Sequence, residues 1–63
     1  MNSNNKRVRT ALFETNIRQY ELAHLMGISE MTMIRRLRFE LPEEEQDEMI
    51  KIIYREYARR QQS

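Results

Sequence analysis

One glycine, Gly27, and one proline, Pro42, are the chain's only examples of the two residues that most often interrupt regular structure. Around them, apolar residues recur at three- and four-residue intervals, the period of a helix with one buried face. A third of the residues are charged, which together with this spacing points to helices rather than strands. The chain has 63 residues, so the reading is a single all-α domain. A domain this short buries only about 60% of its unfolded surface, so its core needs support. It has no cysteine and a single histidine, so neither disulfides nor zinc can provide it. What remains is good helix packing and association with a second copy.

Four helices are expected. Residues 1–5 are polar and are read as a frayed leader. Val8, Ala11, Leu12 and Thr15 have helical spacing, with Phe13 beside them, and predict a first helix over Lys6–Thr15. Asn16 ends it, because asparagine tolerates the left-handed conformation found just past a helix. Ile17 follows as an apolar pin. Leu22, Ala23 and Met26 predict a second helix from Arg18 or Gln19 to Met26, closed by Gly27 and pinned by Ile28. Ser29 is a good N-cap for a third helix over Glu30–Arg38 that buries Met33 and Leu37. Leu41-Pro42 opens a fourth, over residues 42–61, with Glu43, Glu44 and Glu45 complementing the positive end of its dipole. Its apolar stripe reads Met49, Ile50, Ile53, Tyr54 and Tyr57. A short turn at Phe39–Leu41 would make a fifth helix.

The net charge of +1 conceals an asymmetry. Residues 1–41 hold seven basic and four acidic side chains, whereas residues 42–63 hold four basic and six acidic ones. Basic charge gathered in two thirds of the chain is the footprint a polyanion needs. The informative stretch runs from Gln19 to Arg38. A small Ala23 lets two helices cross closely, and Gly27 permits a positive φ at the turn. Leu22, Met26, Ile28, Met33 and Leu37 then fill the space between the helices, which leaves the second of the pair able to protrude.

Gln19, Leu22, Ala23, Gly27, Ile28, Ser29 and Met33 match the pattern Q-x-x-L-A-x-x-x-G-[IV]-S-x-x-x-apolar. On these residues the chain resembles the Cro-like, xenobiotic-response-element type helix-turn-helix family of phage and mobile-element regulators, over roughly Val8 to Ile53. It departs from the pattern at Arg18, where a threonine cap is common, and at Ile34 and Arg36. The resemblance implies a compact four-to-five-helix bundle of the lambda-repressor-like DNA-binding type, with the helix-turn-helix at residues 19–38. It implies base contacts from Ser29, Glu30, Met31, Thr32 and Arg35, and a phosphate contact from Gln19. Arginine can donate two hydrogen bonds to guanine, glutamate can accept from cytosine, and a methionine can meet a thymine methyl group. Arg18, Arg36 and Arg38 are read as further phosphate contacts, which position a protein on a duplex without reading its sequence.

Other features have plainer readings. Met26, Met33 and Met49 are core fillers. His24 is a surface histidine, since no second ligand or nucleophile lies near it in sequence. Tyr20 is either a phosphate contact or a packing residue. The acidic run from Glu43 to Glu48 is a solvated helix start. Ile50, Tyr54 and Tyr57 extend beyond what a four-helix core requires and are assigned to a homodimer interface. No apolar run reaches the length of a membrane span or reads as a secretion signal, which places the protein in the cytoplasm. An enzyme is not expected, because a helical domain of this size offers little room for a pocket of convergent titratable groups. No metal, cofactor or small-molecule ligand is implied.

The functional expectation is therefore a sequence-specific binder of double-stranded DNA, a repressor acting as a dimer on a palindromic site. Two alternatives stay open. One is a protein-interaction module on the same scaffold, such as an anti-host-defence or toxin-neutralising factor. The other is a DNA-binding accessory factor for recombination.

Overall fold

The computed structural model describes residues 4–62 and is all-helical over that range. In chain order the elements are α1 (Lys6–Thr15), α2 (Gln19–Met26), α3 (Glu30–Leu37) and α4 (Glu43–Gln61). α1 packs along α4, while α2 packs on both α3 and α4. Val8, Ala11, Leu12, Ile17, Leu22, Ala23, Met33, Leu37, Met49 and Ile53 form one buried cluster, with Met26, Ile28, Leu41, Ile50 and Ile52 at its margins. No helix among the described residues is long and apolar enough to cross a membrane.

The first two helices end in the same way. Asn16 and Gly27 both adopt left-handed backbone, with φ of 59° and 73°. Beyond each, the Ile17 N–H donates to the Leu12 carbonyl (3.1 Å) and the Ile28 N–H to that of Ala23 (3.0 Å). These are the six-to-one bonds of a Schellman motif, which satisfies terminal carbonyls and folds the following apolar residue back onto the helix. The two isoleucine pins of the sequence pattern are a direct consequence. Ser29 then caps α3, its hydroxyl accepting from the Thr32 N–H at 3.1 Å.

α3 ends at Leu37, with Arg38 as its cap residue rather than its last turn. No glycine follows, and Phe39–Leu41 forms an irregular connection, not a fifth helix. The carbonyls left over at this end are satisfied from the opposite end of the chain. Asn5 donates through Nδ2 to the carbonyls of Leu37 (3.1 Å) and Phe39 (2.9 Å), and its Oδ1 accepts from the Leu41 N–H at 2.8 Å. Its backbone N–H donates to the Glu40 carboxylate (2.9 Å). Asn4 donates to the Arg38 carbonyl, and Arg9 adds a second bond to that of Leu37.

This corrects the reading of a frayed leader at Asn4 and Asn5. Asn5 is fully buried and every polar atom of its side chain is bonded, whereas residues 1–3 lie outside the described range. Along α4, Met49 and Ile53 are buried, Ile50 is half-buried and Tyr54 and Tyr57 are exposed, while Gln46 and Glu56 take inward positions that apolar spacing does not mark. Gln46 is held by its own bonds, from Nε2 to the Glu40 carboxylate (2.9 Å) and the Leu41 carbonyl (2.8 Å).

Two substitutions separate backbone from side-chain effects. Asn5→Ala, which orphans buried groups and places a Cβ residue without local hydrogen bonding at φ 59°, should cost about 3 kcal/mol in urea unfolding. Asn5→Gly should recover about 1 kcal/mol of that loss, because only the conformational part is relieved. At Gly27 a Cβ would meet nothing within 4 Å, so the cost of Gly27→Ala is conformational alone, about 1 kcal/mol, and Gly27→Asn should cost less. A loss of several kcal/mol at Gly27, measured the same way, would show that the turn has a packing constraint.

Candidate nucleic-acid interface

α3 stands against the core through Met33 and Leu37, which determines what its other faces present. At about 100° per residue, Met31 and Arg35 fall one turn apart on the side facing away from the core, with Arg38 one turn further and Thr32 beside them. Met31 is 60% exposed, and Arg35, Arg36 and Arg38 are all exposed. Arg36 sits on the flank of this face. Glu30 lies about 140° around the helix from Arg35, in the first turn, where it complements the positive end of the α3 dipole. The residues assigned to base contact therefore do not form one set: Met31, Thr32 and Arg35 are brought together, and Glu30 is turned aside. The Ser29 hydroxyl is engaged in the cap, accepting from the Thr32 N–H and donating to Thr32 Oγ1 at 2.9 Å.

Gln19, half-buried at the first position of α2, is the meeting point of two shallow grooves. One is lined by Arg9, Gln19, Ile34, Leu37 and Arg38, and the other by Arg9, Leu12, Phe13, Asn16, Ile17, Arg18 and Gln19. The structure thus gathers Arg18, Gln19 and Arg38, which sequence spacing alone leaves up to twenty residues apart, along one edge. It adds Arg9, which sequence reasoning missed because it lies on α1, outside the helix-turn-helix. Arg9 bonds the Asn4 carbonyl through Nε (2.8 Å) and the Leu37 carbonyl through Nη2 (3.1 Å), placing a cation at the negative end of α3. Phe13, at 86% exposure, also borders this edge, and no signal in the helical pattern marked it as outward-facing beyond its place off the Val8–Leu12 stripe. Tyr20 is exposed on α2 and lines a different groove, with Glu21, His24, Leu25, Glu56, Arg59 and Arg60.

The electrostatics of this edge follow from where the acids go. Glu40 accepts from Asn5 and Gln46. Glu14 accepts from the Tyr54 hydroxyl at 3.2 Å. Glu21 accepts from the Arg18 backbone N–H (2.8 Å) and from Arg60 (3.0 Å). The first of those bonds is half of a capping box; the other half needs a side-chain acceptor, which arginine lacks. Among the described residues the ion pairs use Arg7, Arg59 and Arg60, and none uses Arg18, Arg35, Arg36 or Arg38. Three of the four acids in residues 1–41 are bonded within the fold, while the arginines of α3 point into solvent.

The residues assigned to a dimer interface lie away from this edge. Ile50 and Tyr54 line a groove with Lys6, Arg7, Thr10, Ala11 and Glu14 of α1. Tyr57 meets Tyr54 edge-to-face, with ring centroids 6.4 Å apart. These contacts account for the half-burial of Ile50 within a single chain and leave part of both tyrosine rings exposed.

No family model, characterised protein or solved structure is significantly similar to this chain.

The start of α2 is tied to the far end of α4 by charge. Arg59 and Arg60 both bond the Glu56 carboxylate, and Arg60 reaches on to Glu21. These two guanidinium donors hold the Glu56 carboxyl down at about 2. Glu21 is also lowered, first by the Arg18 N–H and then by Arg60, and Glu40 by the Asn5 N–H and Gln46. A carboxyl that is more acidic folded than unfolded contributes stability above the unfolded value, and that contribution is lost as pH falls. Melting temperature should therefore drop steadily from about pH 4.5 toward pH 2. Glu56→Gln should melt lower at neutral pH and show a shallower acid slope; equal slopes in melts followed by circular dichroism would remove Glu56 from this role.

Proposed function

We propose that this chain binds specific sequences of double-stranded DNA, as a repressor of a phage or mobile element that acts as a dimer on a two-fold site. One observation carries the reading: α3 turns Met31, Arg35 and Arg38 outward with its arginines unpaired, beside an edge formed by Arg9, Arg18 and Gln19. Such a helix is narrow enough for a major groove, which admits one α-helix and presents hydrogen-bonding groups that distinguish every base pair. Arg35 and Met31, outermost, are the base-reading pair in this arrangement, with Thr32 next to them. Arg38, one turn beyond Arg35, and Arg36, Arg18, Arg9 and Gln19, on the flanks, contact phosphates and determine register. Glu30 and Ser29 support α3 from its first turn more than they read bases.

The roles differ in a measurable way. Arg35→Ala should lose about 1–3 kcal/mol on the preferred sequence and relax preference at one base position. Arg38→Ala should weaken preferred and random duplexes alike and reduce the dependence of log affinity on log salt by about one unit. The preferred sequence comes from repeated selection out of a pool of random duplexes, carried out at two salt concentrations. Enrichment of a palindrome, with affinity falling steeply as salt rises, is the expected result. No enrichment, with feeble binding even at low salt, would overturn the proposal in favour of a protein-interaction module.

A further inference from the structure

On the side bordering α2, α4 carries a stripe that the candidate interface does not use and that the rest of the fold engages only in part: Ile52 packs at the core margin and Arg59 bonds Glu56. Glu45, Glu48, Ile52, Arg55 and Arg59 recur at alternating steps of three and four residues, the spacing that keeps side chains on one seam of a helix. Ile52 is half-buried and the four charged residues are exposed. Leu25 of α2, also exposed, joins Glu48, Ile52, Arg55, Glu56 and Arg59 in lining one shallow groove. The Tyr54–Tyr57 pair lies about 180° around the helix.

The order of charge along the stripe is specific. Acids precede Ile52 and bases follow it, with Glu45 and Arg59 each seven residues away, Glu48 four before and Arg55 three after. A sequence of this kind is complementary to its own reverse. When two copies of α4 lie antiparallel with Ile52 on a two-fold axis, each Glu45 faces the partner's Arg59. Each Glu48 comes within one residue, about 1.5 Å of rise, of the partner's Arg55. A parallel pairing would set glutamate against glutamate and arginine against arginine.

We propose that this face docks a second copy of the chain in that antiparallel arrangement. Ile52 and Leu25 form its apolar centre, with Glu48–Arg55 bridges on both sides and Glu45 beyond them facing the partner's Arg59, which keeps its bond to Glu56 of its own chain. The interface is isologous, so every favourable pair occurs twice. Its apolar centre is small against the roughly 800 Å² per partner of a standard interface, so charge supplies much of the attraction and salt weakens it. The inference rests on α4 and Leu25 and is measured without DNA; it deepens the dimeric part of the proposed function, and its failure leaves the base-reading role of α3 to be tested by the duplex selection.

Sedimentation equilibrium on the purified full chain tests it, with circular dichroism to verify helix content in each variant. The chain should dimerise at about 0.05 M salt and dissociate at least about tenfold more readily at about 0.5 M. Glu48→Arg and Arg55→Glu should each weaken the dimer at least about tenfold, because each reversal creates two like-charge contacts. The double variant Glu48→Arg/Arg55→Glu should recover the dimer to within about threefold, since the charge pattern is inverted but still complementary. Any of three results would overturn the proposal: a wild-type monomer at low salt, single reversals without effect, or a double variant no better than the singles. A dimer disrupted by Tyr54→Ala and Tyr57→Ala, and unmoved by the reversals, would place the interface on the α1 side instead.

Discussion

The Arg38 N–H satisfies the Arg35 carbonyl, but the last carbonyl of α3, that of Leu37, takes its donors from far along the chain, and that long-range answer organises much of the rest. A helix normally ends with a glycine or asparagine in left-handed backbone, which turns later N–H groups onto the last carbonyls. Asn16 and Gly27 do this for α1 and α2, but α3 is followed by Arg38 and Phe39. The donors arrive from Asn4, Asn5 and Arg9, about thirty residues earlier in the chain. Asn5 is itself in left-handed backbone, a conformation asparagine accepts at small cost, so it begins α1 while its side chain faces the Leu37–Leu41 connection. The beginning of the chain and the end of the presented helix are thereby one structural unit.

A second long-range connection holds the other end of the helix pair. Glu21, in the first turn of α2, accepts from the Arg18 N–H and from Arg60 near the end of α4, and Arg60 is oriented by Glu56. α2 is thus gripped where it starts and α3 where it finishes, while Gly27, Ile28 and the Ser29 cap determine the angle between them. With both outer ends anchored, the exposed face of α3 is held by a framework rather than by its own eight residues, which as an isolated helix would be unstable in water. Precise presentation is what a surface needs if it is to discriminate among partners by hydrogen-bond geometry.

The same bonds also sort the charges. Glu14, Glu21 and Glu40 are bonded within the framework, and none of them pairs with the side chain of Arg35, Arg36 or Arg38. A chain of net charge +1 can therefore show a strongly cationic edge around Arg9, Arg18, Arg35, Arg36 and Arg38. α4 divides in a different sense, along its length, with glutamates near its start and arginines near its finish. Both ends complement the helix dipole, and the same polarity makes one stripe of the helix self-complementary.

Apolar spacing and end signals suffice for the helices themselves. The 3.6-residue period needs only local sequence, and Asn16, Gly27, Ser29 and Pro42 punctuate it through backbone preferences that operate within a few residues. Val8, Ala11, Leu12 and Thr15 are buried as that spacing requires, as are Leu22, Ala23, Met33 and Leu37. The outward placement of Arg35 follows as well, because the side opposite Met33 and Leu37 is determined once those two face the core. Tertiary structure alone decided the burial of Asn5. A polar group is buried only when partners satisfy it, and those of Asn5 lie at Leu37, Phe39, Glu40 and Leu41, whereas Gln46 and Glu56 find theirs within six residues, at Glu40, Leu41, Arg59 and Arg60. Tertiary structure likewise brought Arg9 of α1 to the edge shared by Gln19 and Arg38. Hydropathy is a property of one residue, whereas satisfaction of a buried hydrogen bond belongs to two, and when the second lies thirty residues away only the folded chain brings them together.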